Sequence, residues 1–241
     1  MQIQRRHLLG AGAALAVPGI ATASSAPINI VFADFPPYTV ADAARPGILN
    51  EVAVEILRML GRNAELRLLP WAEAQARGRE DANTLITPLG RIPAREPHYT
   101  WIVKVLDLEA AFGSMGRTGP LDLAAARQVS RVGVIAGSLH EGFLREQGFT
   151  NLVHVTNADA IGALAAGQVD ALYNQSLELR WRARQINRAG DLHIGPRLQT
   201  VEAFIATGRA ASGIPVGEMR EAFSALESEG AVERVVRSYV G

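Results

Sequence analysis

Arg91 and Arg95 stand four residues apart in the run TPLGRIPAREPHYTW, with Pro93 between them and Pro97 just beyond. Each proline removes a backbone donor and restrains the residue before it, so the run reads as a shaped loop rather than a helix. A planar guanidinium held on such a loop can donate two parallel hydrogen bonds to one carboxylate and keeps its charge when partly dehydrated. The chemistry on offer is anion capture. Taken singly, either arginine reads more readily as solvated surface, so the surrounding elements have to decide.

A second anion-receiving pattern lies in AGSLHEG, where Gly137, Ser138 and Leu139 precede or open a predicted helix. Free backbone N–H groups and a hydroxyl at a helix start can receive an anion, and Ser138 reads equally as an N-cap. Other chemistries fail on spacing. HEGFL has Leu144 where a zinc protease needs its second histidine. His98, His140, His154 and His193 show no metal-ligand spacing and read as surface or local packing. Ala136 replaces the first glycine of a nucleophile elbow, and no glycine-rich stretch carries a phosphate-loop lysine. With no cysteine, disulfides, thiolate metal sites and a cysteine nucleophile are excluded. No cofactor and no metal are expected.

The elements that must position these residues alternate. INIVFAD reads as a buried strand, and FPPYTV ends it in a proline-held loop carrying Phe35 and Tyr38. GILNEVAVEILRMLG places Ile48, Val52, Ile56 and Leu60 at helical spacing and stops at Gly61. AELRLL, WAEAQARGRE and NTLIT then read as strand, helix and strand, with Trp71 opening the helix. This order implies crossovers onto a parallel sheet. At AAFGSMGRTGP an apolar strand runs into glycines and a proline, a composition suited to a lobe boundary. A second series follows: SRVGVIA, SLHEGFLREQG, NLVHVT, NADAIGALAAG, VDALYN and SLELRWRARQIN. TVEAFIATG is one more strand, and two terminal helices broken near Gly230 are expected to return to the first lobe. The fold class is α/β, with two lobes, each a mostly parallel sheet flanked by helices, and two hinge crossings.

The chain has 241 residues, 48% hydrophobic, with 24 basic and 24 acidic residues, enough for two lobes with real cores. Zero formal charge and no dense basic tract leave nucleic acid without an electrostatic footprint. The opening MQIQRRHLLGAGAALAVPGIATASSAP has paired arginines, a short apolar run and small residues at Ala21 and Ala23. It reads as a twin-arginine-like export signal over residues 1–23, with general export also open, and it is too short and interrupted for a spanning helix.

Taken in order, FADFPPYTV, GILNEVAVEILRMLG, LPWAEA, GRIPAREPHYTW, RVGVIAGSLHEGFL, ALAAGQVDALYNQ and EGAVERVVRSYVG resemble the family 3 periplasmic solute-binding proteins, the amino-acid receptors of ABC importers. The resemblance implies a type II binding-protein fold, with residues 26–114 plus 201–241 forming lobe 1 and residues 117–198 forming lobe 2. It places Arg95 on a ligand carboxylate and leaves Arg91 without a carried-over role. Phe35 and Tyr38 match positions where an aromatic covers the ligand, and Trp71 is a further aromatic candidate. Tyr99 and Trp101 read as packing. Thr87, Arg91, Ser138 and Leu139 complete the expected binding set, with Gln175 where the family commonly has an amine-binding aspartate. A neutral amide supplies no charge to an ammonium, so a related carboxylate or polar metabolite is as open as an α-amino acid.

The expected function is capture of a small carboxylate-bearing solute by hinge closure for an ABC transporter permease, by a periplasmic monomer that is not an enzyme. Hinges are expected near Gly113 to Gly116 and Leu198 to Glu202. Two alternatives stand beside it. One is a periplasmic enzyme on the same fold, cyclohexadienyl dehydratase-like, with Asp34, Glu73 or Glu141 as acid; the other is a soluble sensor partner.

Overall fold

The computed structural model describes residues 26–116 and 119–240. The expected export signal over residues 1–23 lies outside them. The chain begins with β1 (Ile28–Phe32), α1 (Ile48–Met59), β2 (Ala64–Leu68), α2 (Trp71–Glu80) and β3 (Thr84–Gly90). In this first half β1 pairs parallel with both β2 and β3. A 3-10 turn at Pro93–Arg95 leads into the long strand β4 (Tyr99–Met115). The proline run is therefore a shaped loop, as its residue types require.

After a single turn, α3 (Leu123–Ala126), come β5 (Val132–Ile135), α4 (Leu139–Glu146), β6 (Leu152–Val155), α5 (Ala160–Ala165), β7 (Ala171–Gln175) and α6 (Ser176–Gln185). Here β5 pairs parallel with β6 and β7. The short β8 (Leu192–Ile194), β9 (Gln199–Gly208), α7 (Val216–Ser228) and α8 (Ala231–Val240) complete the chain.

Two strands tie the halves together. β9 runs antiparallel to β3, and to β4 from Tyr99↔Gly208 to Ala110↔Gln199. β4 then continues into the second half, antiparallel to β7 from Ala110↔Gln175 to Gly113↔Leu172 and to β8 at Gly113↔Ile194. The sheet order is β2-β1-β3-β9-β4-β7-β5-β6, with β8 on β4. In each half the strands joined by helical crossovers pair in parallel, and the linking strands β4 and β9 pair antiparallel with their neighbours. Gly113 lies inside the second half's ladder with Leu179 packed over it, so β4 crosses earlier than its glycines suggest, near Leu106–Ala110.

Each half has its own core. Ile28, Ile30, Val52, Ile56 and Leu85 pack with Met219, Phe223 and Leu226 of α7, so the terminal helices return to the first half. Val132, Val134, Phe112, Leu144, Phe149 and Tyr173 form the second. Gly47 fixes the geometry that presents the Phe35 loop. Its φ is 99°, and a Cβ there would lie 2.5 Å from the Thr39 Cα. With that approach, Ile48 N and Leu49 N donate to the Pro37 and Tyr38 carbonyls at 3.0 and 2.9 Å. The loop thereby satisfies donors that a helix start leaves open.

Candidate functional site

Between the halves lies a cavity of about 680 Å³. Its first wall is built from the loop after β1, the start of α2 and the loop after β3, bringing Phe35, Tyr38, Trp71, Gln75, Gly90 and Arg95 to one face. Phe35 and Trp71 meet edge to face, ring centroids 5.3 Å apart. Tyr38 is almost wholly buried, sharing a core with Ile48, Leu108 and Tyr239 while edging the cavity. Burial, with Glu178 and Glu109 nearby, pushes its phenol up and keeps it protonated.

Arg95 closes the 3-10 turn, its Nη1 donating to the Gly90 carbonyl at 2.9 Å and its Nη2 to Gln75 Oε1 at 3.2 Å. The guanidinium also lies 5.8 Å from the Trp71 ring centroid. These are neutral partners; among the described ion pairs none includes Arg95. Burial pushes its pKa down, yet a guanidinium remains cationic throughout the physiological range. The result is a half-buried positive charge, oriented by an amide and a carbonyl, facing an open volume. Such a charge favours an anion over water.

The second wall comes from the loop before α4, the loop before α5 and the end of β7, and it presents Ser138, Leu139, His140, Asn157, Asn174 and Gln175. Ser138 caps α4, its hydroxyl oxygen accepting from Glu141 N. Gly137 N, which the residue pattern offered to an anion, donates instead to Glu141 Oε2 at 2.7 Å. That bond, with His154 and Arg145, holds the Glu141 carboxyl down at about 2. The helix start is thus already occupied by a carboxylate of its own chain. Gln175 is reached through Asn174, whose Oδ1 accepts from Gln175 N at 2.8 Å.

Two expected site residues lie elsewhere. Thr87 is fully buried behind the wall and donates its hydroxyl to Asn50 Oδ1, so its hydrogen-bonding capacity serves the α1–β3 packing. Arg91 points away from the cavity, paired with Glu96 at 2.7 Å and lying over the Trp101 and Phe204 rings at 5.5 Å. Tyr99 and Trp101 are buried in the sheet packing, their polar atoms bonded to Gln75 O and Glu96 Oε2. Phe35, Tyr38, Trp71, Arg95, Ser138, Leu139 and Gln175 all line the cavity.

Gln75 and Asn174 were not offered by the residue patterns, nor were His140, Asn157 and Arg182. His140 is 7% exposed, lines the cavity, and has neither ring nitrogen in a hydrogen bond. Burial holds the imidazole pKa at about 4; the Gln175 and Gln199 amides pull it upward without reaching hydrogen-bond geometry. One signal was present: His140 stands four residues before the buried Leu144, on the inward face of α4. Asn157 donates to the Asp34 carbonyl from the opposite half, and Arg182 does the same at 3.2 Å. Among the described residues no group of three His, Cys, Asp or Glu side chains gathers around a metal-sized space.

No protein-family model and no curated protein matches this chain. Solved structures do match. A histidine kinase sensor domain with similarity to periplasmic binding proteins superimposes with a TM-score of 0.80 at 20% identity, over 90% of this chain and 97% of that one. The fold is that of the periplasmic binding proteins. An arginine third transport system periplasmic binding protein from Legionella pneumophila matches over 89% of this chain and all of its own, at TM-score 0.76 and 13% identity. The ligand-binding core of GluR0 from Nostoc punctiforme, solved with L-glutamate, matches at TM-score 0.75 and 16% identity, over 88% of this chain and 99% of that one. At these identities the likeness describes the binding-protein fold, and this chain's own side chains must carry any functional reading.

Proposed function

We propose that this protein is an exported solute receptor that closes its two halves around a small carboxylate-bearing molecule and delivers it to a membrane importer. One observation carries the reading: Arg95 is a half-buried cation with neutral partners, facing a volume walled by both halves. Closure would bring Gln175, Ser138 and Leu139 onto a solute already held by Arg95 and Phe35. Only contacts made better in the closed form drive such a change. Bending would fall in β4 near Leu106–Ala110 and in β9 near Gln199–Ala203, so that residues 110–114, expected in lobe 1, would move with lobe 2, whose core holds Ala110 and Phe112.

Binding is favoured over catalysis by the disposition of the acids. Glu73 and Glu141 sit outside the cavity, paired with Arg77 and Arg145, whereas Asp34 lines it with a carboxylate oxygen 3.5 Å from Arg182. The sensor-domain neighbour supports a second reading, in which the closed form is read by a signalling partner rather than a permease. Among the described residues no helix is long and apolar enough to cross a membrane. Export would rest on the arginine-led leader, and a monomer suffices because both cavity walls come from one chain.

Titration calorimetry against a panel of amino acids, hydroxy acids and dicarboxylates tests the reading. Arg95→Ala is expected to weaken the best ligand by roughly tenfold to a hundredfold, the range of about 1.5 to 3 kcal/mol given by charged hydrogen bonds. Unchanged affinity in a folded Arg95→Ala protein would remove the carboxylate grip.

A further inference from the structure

The charges around the cavity are unequal, and the inequality bears on what can enter. Arg95 is its uncompensated cation. Among the described residues lining it, Asp34 is the only carboxylate, and that carboxylate already has partners. Its Oδ1 accepts from Ala41 N at 3.0 Å, and its Oδ2 lies 3.5 Å from Arg182 Nη2. Arg182 is itself 13% exposed, held on its other side by the fully buried Glu178. The facing wall carries only neutral groups: a serine, two asparagines, a glutamine and an imidazole. Burial keeps that imidazole uncharged at neutral pH.

A carboxylate entering this space meets an uncompensated guanidinium. An ammonium entering with it meets amide dipoles and, as its one carboxylate, an Asp34 that already faces Arg182, and stripping water from a poorly paired amine is costly. The two ends of a zwitterion are therefore treated unequally. The rest of the surface is apolar, with Phe35, Trp71, Leu69, Leu108 and Ile135 among its walls, and about 680 Å³ exceeds what a two- or three-carbon acid fills.

We propose that the cleft selects an organic acid carrying no ammonium group, a plain, hydroxy or oxo acid with an apolar body, in preference to the α-amino acid of the same skeleton. The selection rests on the solute-binding reading above and narrows it. Arg95 takes the carboxylate. The amides of the facing wall accept a hydroxyl or donate to an oxo group, which needs no counter-charge.

The test uses the wild-type protein and matched compounds. Carboxylates of three to ten carbons, straight-chain and phenyl-substituted, are each offered with hydrogen, hydroxyl, oxo or ammonium at C2, and binding is measured by calorimetry at pH 7.5. The expected result is that every skeleton that binds prefers an amine-free form, by at least tenfold over its amino acid. An amino acid that equals or beats its amine-free partners on the tightest skeleton overturns the selection. If its binding also falls in Arg95→Ala, the solute-receptor reading survives alone, and loss in Asp34→Asn would identify Asp34 as the amine partner. No binding by any compound overturns both readings.

Discussion

Arg182 Nη2 stands 3.2 Å from the main-chain oxygen of Asp34, a donor on the second half bonded to an acceptor on the first. Asn157 Nδ2 donates to the same oxygen. The two halves therefore share hydrogen bonds at the rim of the cavity as well as the β4–β9 seam. Arg182 is fixed for this by Glu178, which accepts from its Nε at 2.8 Å one helical turn earlier.

Removing the arginine leaves Glu178 buried without its cation. Arg182→Met is expected to lower stability by about 3 to 5 kcal/mol at pH 8, the usual consequence of breaking one side of a buried pair. At pH 5 the loss should be clearly smaller, because Glu178 can then hold a proton. Urea denaturation at the two pH values checks this; equal losses would show that the charge on Glu178 is immaterial.

Burial outweighs Arg182 at Glu178 and pushes its carboxyl from 4.5 up to about 7. Between those values the folded protein holds a proton that the unfolded chain has released, so this group's contribution is full below pH 4.5 and is lost as pH rises to 7. At 1.36 kcal/mol per unit the loss amounts to about 3 kcal/mol. Glu178→Gln, which keeps an acceptor for Arg182, should remove that decline and gain stability relative to wild type between pH 5 and pH 8. Thermal melts across this range provide the comparison.

His140 acts in the opposite sense. Burial lowers its pKa from 6.5 to about 4, so the unfolded chain takes up a proton first and stability is lost as pH falls through that interval. From pH 6.5 to 4.5 the two groups offset each other. His140→Phe, which keeps a ring edge-on to Tyr173 where the imidazole centroid lies 5.3 Å away, should unmask the Glu178 slope, whereas Glu178→Gln should unmask the histidine's. Parallel melting curves for both variants and wild type would refute the pairing.

Gly47→Ala forces a Cβ to within 2.5 Å of Thr39 Cα at a φ of 99°. A destabilisation of about 1 to 3 kcal/mol is expected from the strained backbone alone. Because the same approach holds Pro37 and Tyr38 on the start of α1, affinity for a ligand of the proposed cleft should fall as well. Calorimetry on the folded fraction separates the two effects; unaltered affinity would mean that the Phe35 loop is held by other contacts.

Much of the cavity lining was legible from local pattern. Pro93 and Pro97 forced a loop that carries Arg95, the helical spacing of Ile48, Val52 and Ile56 set α1, and the proline-held loop put Phe35 and Tyr38 at its start. These features depend on neighbours a few residues away, whose sterics act whatever the rest of the chain does. Arg91 and Arg95 shared one motif, yet only one faces the cavity, because Glu96 and the Trp101 and Phe204 rings claim the other.

The amino-acid sequence alone determined the alternation of elements, the α/β class and the loops on which the candidate ligand groups sit, since backbone sterics and hydrophobic periodicity operate at short range. Tertiary structure decided which of those groups share a cavity and which charges are already spent. Asp34 and Arg182 are separated by 148 residues, and Asn157 meets the Asp34 carbonyl across 123. Long-range packing brings such partners together and removes water around them, and the strength of a charge depends on that removal.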